Sequence, residues 1–167
     1  MKEINTKDLV LLSILIALNV VLSRLLSISA WNFKIGLTFL SIYIASYFYG
    51  WLGGLIVGGL GDLIGSLLFP IGAYFPGFTI TAALSGVAFG LIINKSDKLL
   101  RITLACFCYE VIFSLLINSF FISYLYNNLY SAILLSRIPQ CIIMIFVEII
   151  VIKLLATRMK GFHFERN

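Results

Sequence analysis

The sequence predicts an all-α polytopic membrane protein of six transmembrane helices, and three observations carry that prediction. Of its 167 residues 61% are hydrophobic and only 11% charged, with a mean hydropathy of +1.08; an ordinary soluble domain carries about 25% charge. No Asp, Glu, Lys or Arg occurs at 9–23, 35–61, 63–94 or 111–136, and each stretch holds most of a membrane span or more. Basic residues gather between the apolar runs. Six helices of about 20 residues use most of the chain, so 1–167 is expected to be a single membrane domain.

Glycine, proline and polar clusters cut the apolar runs into helices at 8–28, 35–49, 51–69, 78–94, 102–118 and 130–156. The first run lacks a small-x-small cleavage site and is read as a retained helix. The cut at Gly50 is the least marked, because 35–61 could form one long helix. Charge decides it. Nine of the twelve basic residues fall in three groups: Lys2 and Lys7; Lys95, Lys98 and Arg101; Lys153, Arg158, Lys160 and Arg166. The positive-inside rule puts all three on the cytoplasmic side. An even number of crossings must then precede Lys95, which requires the split at Gly50 and places both termini in the cytoplasm.

The net charge of +5 does not point to nucleic acid, since the basic residues are scattered between apolar segments rather than forming a stripe. It records topology and the anionic inner leaflet. Cys106 and Cys108 stand one residue apart, not at metal or redox spacing, and with Cys141 they read as small buried hydrophobes. Neither a metal nor a cofactor is expected.

Three cations fall outside the cytoplasmic groups. Arg24 and Lys34 flank the first external loop, and Arg137 lies in the outer half of the last helix, about 10 Å from its start. Cations within a span are costly and face a cavity or partner. Snorkelling accounts for Arg24 or Lys34 singly, and a pair with Asp62 or Glu148 for Arg137; three converging on one outer region point to an anionic ligand.

Residues 69–79 read Phe-Pro-Ile-Gly-Ala-Tyr-Phe-Pro-Gly-Phe-Thr. Two prolines and two glycines forbid a regular helix there. Irregular backbone near a membrane is tolerated where it is buried in protein or lines a wet cavity, and Tyr74, Phe75 and Phe78 offer faces on which a planar ring can stack. The alternative is a connecting turn whose aromatics belong to the interfacial belt. Upstream, Gly50, Gly54 and Gly58, then Gly61 and Gly65, are spaced by four and predict close helix packing. No phosphate loop is implied, because its Lys-Ser/Thr ending is absent. Asp62 lies inside this helix, where a carboxylate needs a cation or a ligand as partner.

Gly-Asp-Leu-Ile-Gly (61–65), Leu-Phe-Pro-x-Gly-x-Tyr-Phe-Pro-Gly-Phe-Thr (68–79), Asn118 with its aromatic pair, and Arg137 resemble the substrate-binding S components of energy-coupling factor (ECF) vitamin importers, most closely the folate family. The resemblance covers essentially the whole chain, and 68–79 is its most specific part. It implies six helices around an outward-facing cavity, loops at the rim, and folate as ligand. It also implies a transmembrane coupling subunit and two ATPases as partners, a bacterial plasma-membrane location, and a first helix that docks the coupler through small residues spaced by four; here Ala17 keeps that pattern and Val21, four on, departs from it. Folate joins a flat pterin and an aminobenzoyl ring to a glutamate with two carboxylates. Tyr74, Phe75, Phe78, Phe120 and Phe121 could stack on the rings, with Pro76 and Gly77 shaping the loop; Asp62 and Asn118 could bond the pterin; Arg24, Lys34 and Arg137 could hold the tail. Where family members carry a Trp, this chain has Ser119-Phe120-Phe121.

The chain is not expected to be an enzyme. The intramembrane acids Asp62, Glu110 and Glu148 fall on three separate helices with no i, i+4 carboxylate pair. An independent carrier built on inverted repeats is disfavoured by the lack of likeness between 8–69 and 78–156. Another vitamin or pteridine remains the alternative ligand.

Overall fold

The computed structural model describes residues 5–30, 33–93, 96 and 98–159. Helix α1 (Thr6–Val20) continues as a π-helical turn, Val21–Leu25, and leads into a short antiparallel hairpin of β1 (Ile28–Ala30) and β2 (Phe33–Ile35). Then come α2 (Thr38–Leu68), α3 (Pro76–Ile93), α4 (Leu99–Phe107), a π-helical stretch Cys108–Ile117, α5 (Asn118–Tyr126) and α6 (Tyr130–Met159). Among the described residues, five helical stretches are long and apolar enough to cross a membrane, the fourth being Leu99–Tyr126 as one body. Large apolar side chains such as Leu67, Leu100, Ile143 and Leu154 stand exposed on the outside, which suits lipid and not water.

Helix α1 starts where Asn5 caps it and Asp8 answers the cap in a reciprocal box, satisfying two otherwise orphaned amides. Helix α2 is interrupted at Gly50, whose φ of +67° and ψ of −154° lie where a side chain is strained and glycine is not. Eight residues of unbroken helix span about 12 Å. Yet a Cβ built on Gly53 would lie 2.6 Å from the Ala45 carbonyl oxygen, and one on Gly54 2.5 Å from Ser46 Oγ. The chain therefore doubles back at Gly50, and the two halves of α2 lie side by side.

This turn fixes which ends meet. The Tyr49 hydroxyl donates to Asp8 Oδ1 at 3.1 Å, and Trp51 backbone packs on Gly90 near the end of α3. The start of α1, the Gly50 turn and the end of α3 thus share one end of the molecule. Helix α4 begins there, and its Ile102 joins Ile93, Ile152 and Ala156 in the main apolar cluster. Lys7, Lys98, Arg101, Lys153 and Arg158 collect at this end. The β-hairpin, the 69–75 loop and the α5–α6 connection lie at the other.

The glycines of α2 serve two neighbours. Gly54 and Gly58 leave room for backbone of α3, so that a Cβ on Gly54 would strike the Gly86 carbonyl and one on Gly58 that of Ala82. Ser46 also donates to the Gly86 carbonyl at 3.4 Å. Gly61 and Gly65 instead accept the side chains of Asn19 from α1 and Arg24 from the π-helical turn that follows it. Gly50 is the turn, and its backbone lies against Gly90 of α3.

Several boundaries differ from the expected ones. The first helix ends at Leu25 rather than 28, because Ile28–Ala30 and Phe33–Ile35 pair as strands, a small departure from an all-α chain. The fifth begins at Leu99 and runs to Tyr126, well beyond 118. Residues 119–126 contain neither glycine nor proline, and the helix stops only where Asn127 takes a left-handed φ of 51°, which Asn tolerates better than most residues. Of the basic groups, Lys2, Lys95, Lys160 and Arg166 lie outside the described residues.

Gly54→Ala is expected to destabilise the protein by about 1–3 kcal/mol, as overpacking does, because the new methyl must displace the α3 backbone. Chemical unfolding in mixed micelles measures it; unchanged stability would mean that α2 and α3 are not packed backbone to backbone.

Candidate functional site

A cavity of about 330 Å³ opens between α1, α2, α3, the π-helical stretch, α5 and α6, with loop residues 70–75 over it. A volume of this order suits a small-molecule ligand. At the loop end Phe75 meets Phe78 at 6.0 Å between ring centroids and Phe121 at 5.1 Å, while Phe78 meets Phe121 edge-on at 5.8 Å. These tilted and edge-to-face pairs favour one another through the ring quadrupole and hold the irregular loop in one shape. Phe75 and Phe78 line the cavity, and Phe121 stands behind them as a prop. Gly77 makes that packing possible, since a Cβ there would press on Phe75 and on Phe121, the latter at 2.8 Å. Pro76 opens α3, a position where its missing N–H costs nothing. Tyr74 lines the rim and is 42% exposed. Phe120 points outward and is exposed.

Below the loop lies the one ion pair found among the described residues. Arg24 Nη2 donates to Asp62 Oδ1 at 3.3 Å, and the Thr79 hydroxyl donates to Asp62 Oδ2 at 2.9 Å. Tyr74 OH is 3.4 Å from the same Thr79 hydroxyl, which ties the loop to the pair. Arg24 reaches this position over Gly65, where a Cβ would stand 3.0 Å from its Nε. The resemblance implies Asp62 at the pterin and Arg24 at the tail, while the residues alone leave a cation or a ligand as the partner of Asp62. The structure joins them, because each is the nearest compensation for the other's charge in a medium of low polarity.

Across the cavity, Arg137 Nη2 approaches Ser114 Oγ at 3.5 Å, while its Nε and Nη1 are buried with no hydrogen-bond partner. Asn118 lines the same wall and its Oδ1 is likewise unpartnered. Arg137 pairs with neither Asp62 nor Glu148. Lys34 lies on β2 opposite Ser29; its side chain is outside the described part of the structure. Ala17 and Val21 lie on the exposed side of the first helix, away from the cavity.

Residue pattern alone missed several lining groups. Asn19 is buried, lines the wall and donates to Ser41 Oγ at 2.9 Å. Glu110 and Glu148 both face the deep part of the cavity. They sit 16 residues before Tyr126 and 18 after Tyr130, so antiparallel helices joined by Asn127–Leu129 bring them level, roughly 25 Å from that connection. Counting back equal distances from the short Asn-rich turn could have found them; searching for i, i+4 spacing could not.

Residues 7–156 match the family described as ECF transporter, substrate-specific component. The chain is 31% identical to the protein named folate transporter FolT of Clostridium novyi (strain NT), over 91% of this chain and 88% of that one. It is 30% identical to the folate transporter FolT of Leuconostoc mesenteroides subsp. mesenteroides, over 75% of this chain and 69% of that one. Among solved structures, one described as FolT bound with folic acid is similar over 93% of this chain and 97% of its own, with TM-score 0.87 and 28% identity.

If the pair is as intimate as the geometry indicates, Arg24→Gln and Asp62→Asn should be strongly non-additive. Each alone leaves a half-buried charge uncompensated, and the double variant leaves neither. A double-mutant cycle on detergent stability is expected to return a coupling of about 0.5–3 kcal/mol; additive losses would show two residues acting separately.

Proposed function

This chain belongs to the family of ECF transporter substrate-specific components, and from that premise we propose that it is the folate-capturing subunit of an importer in a bacterial plasma membrane. The observation that carries the reading is the cavity itself: aromatic faces at one end, and buried polar groups with unused hydrogen-bonding capacity along its walls. Two relatives named for folate transport and a FolT structure solved with folic acid support the substrate.

The chain crosses the bilayer six times, with the loop end of the cavity outward. The reversal at Gly50 supports the even count, and the collection of Lys7, Lys98, Arg101, Lys153 and Arg158 at the opposite end supports the orientation under the positive-inside rule. Folate enters between the β-hairpin and the 69–75 loop. Tyr74, Phe75 and Phe78 flank its rings, with Phe121 stiffening the wall. Arg24 is engaged with Asp62, so Arg137, with two N–H groups unpaired, is the guanidinium ready to take a ligand oxygen. Lys34, placed on the hairpin, adds to the positive potential that draws a dianion. Asn118 offers an amide beside Arg137.

The chain captures and does not energise. ATP hydrolysis belongs to two separate ATPases acting through a transmembrane coupling subunit, and the exposed Ala17–Val21 side of the first helix is a docking face for it. Release follows when the subunit reorients in the membrane, a movement made less costly by an exterior with few fixed charges.

Purified protein, without any ATPase, is expected to bind folate with one-to-one stoichiometry by calorimetry in detergent. Heat with a different vitamin and none with folate would overturn the substrate while leaving the family in place. Arg137→Ala should weaken folate binding by about 2–5 kcal/mol, the range for truncating one side of a buried charged hydrogen bond. Unchanged affinity would return Arg137 to a structural role.

A further inference from the structure

The cations at the end of the bundle opposite the loop are not spread evenly around it. Lys98 and Arg101 stand at the start of α4, and Lys153 and Arg158 near the end of α6. On the α1 side the same end has Lys7, with Asp8 beside it. Where α2 and α3 meet, at Gly50, Trp51 and Gly90, there is no cation among the described residues. Helices α4 and α6 pack along one another, and Ile102, Ile152 and Ala156 are buried in one apolar cluster. Lys98 and Arg101 lie within a turn of Ile102, and Lys153 and Arg158 within a turn of Ile152 and Ala156. All four therefore border one seam. Lys98, Arg101 and Arg158 are exposed and form no ion pair among the described residues, while Lys153 is half-buried.

Two further features narrow what this seam attracts. Helix α4 starts at Lys98 with no side-chain cap, so the positive end of its dipole adds to the field of the cations. Beside them Leu99, Leu100 and Leu104 of α4 and Leu154 of α6 are exposed, Leu100 at 71%. A free anion would use the charge and leave the leucines unmet. An acidic protein segment would have to strip lipid from those leucines before it reached the cations. A phospholipid of net negative charge brings phosphate and acyl chains in one molecule. Guanidinium groups match phosphate oxygens in a fork, and the cations repel the ammonium that a zwitterionic headgroup carries.

We propose that the seam between the start of α4 and the end of α6 binds one anionic phospholipid, with its phosphate held by Lys98, Arg101 and Arg158 and its chains laid on the leucines. Under the orientation proposed above, the lipid belongs to the cytoplasmic leaflet, whose anionic lipids draw basic groups to the surface. Lys153 runs its aliphatic stem along the same apolar surface and adds to the positive potential. None of the four cations lines the interior cavity, so the lipid site stands apart from whatever ligand the cavity takes. Helix α4 continues into the π-helical stretch that carries Glu110 and Ser114, and α6 carries Arg137. A lipid bridging the two helices therefore steadies one wall of the cavity from outside.

The test places full-length protein in mixed micelles with equal amounts of phosphatidylglycerol and phosphatidylcholine and counts retained lipid by native mass spectrometry. Salt is held at about 150 mM, where attraction between exposed charges is screened beyond about 8 Å. Wild-type protein is expected to keep one phosphatidylglycerol, with a preference of about tenfold or more over phosphatidylcholine. The double variant Lys98→Gln/Arg101→Gln and, separately, Arg158→Gln should each lose about fivefold or more of that preference. Lys7→Gln, at the same end on α1, should keep it. An equal loss in Lys7→Gln would show diffuse attraction by net charge and overturn the site. A preference kept by either seam variant would overturn it too, since the site needs both helices. No preference in the wild type would leave the patch to an acidic protein segment and likewise overturn the proposal. Glycerol 1-phosphate, a headgroup without chains, is expected to displace no lipid at millimolar concentration; displacement would show that the cations seek free phosphate and overturn the lipid assignment. An unchanged unfolding midpoint shows that a variant is folded, and if one seam variant fails to fold, the other decides.

Discussion

Charge placed inside an apolar layer has to be answered by the protein, and the Arg24–Asp62 pair is where this molecule answers it. The pair depends on Gly65, over which the guanidinium lies, and on the π-helical turn that ends the first helix, which carries Arg24. It depends equally on Thr79, which supplies the second hydrogen bond and links through Tyr74 to the loop. One interaction thus ties α1, α2, α3 and the irregular loop together at the mouth of the cavity. Lose the cation and the half-buried carboxylate is left with one neutral donor, a more costly state than a pair removed whole.

The glycine spacing that predicts packing is right about its purpose and incomplete about its targets. Two neighbours share the helix, α3 at Gly54 and Gly58 and the polar side chains of α1 and its π-helical turn at Gly61 and Gly65. This division explains how a chain so apolar can keep an interior cavity. Backbone-to-backbone contact makes one side of α2 rigid, and the other side spends its glycines on admitting Asn19 and Arg24. Both π-helical segments, Val21–Leu25 and Cys108–Ile117, carry cavity-lining residues. That agrees with the general tendency of such turns to occur at functional sites.

How much of this was legible in the sequence follows from which forces leave a linear trace. Charge punctuation located the apolar stretches, since a lone charge in lipid is excluded wherever it sits. Basic clusters required an even number of crossings, and the backbone at Gly50 turns where that argument asked for a cut. The aromatic loop was legible because two prolines and two glycines in the eight residues 70–77 leave no regular alternative. The fifth helix was cut short because polar Asn118 and Ser119 resembled a boundary, yet inside a protein cavity polar residues are solvated by each other and need not end a helix. The partner of Arg24 was not legible, because pairing between α1 and α2 depends on how the helices cross. For the same reason Glu110 and Glu148 looked unrelated until the short Asn127–Leu129 turn set them level.

The polarity of the cavity has a consequence for the order in which a ligand passes through it. Arg137, which pairs with no acid, stands nearer the loop end, and the acids Glu110 and Glu148 line the deeper part. A uniformly anionic molecule would be drawn to the mouth and refused beneath it. A uniformly cationic one would be refused at the mouth although the floor could hold it. Only a molecule that is anionic at one end and donor-rich but neutral at the other gains at both levels, and it gains in a single orientation. The loop at the mouth is held to the bundle by side-chain contacts such as Thr79 with Tyr74 and the Phe75, Phe78 and Phe121 cluster. The loop can therefore shift without disturbing the packed glycine interface of α2 and α3, because it shares no backbone contact with that interface.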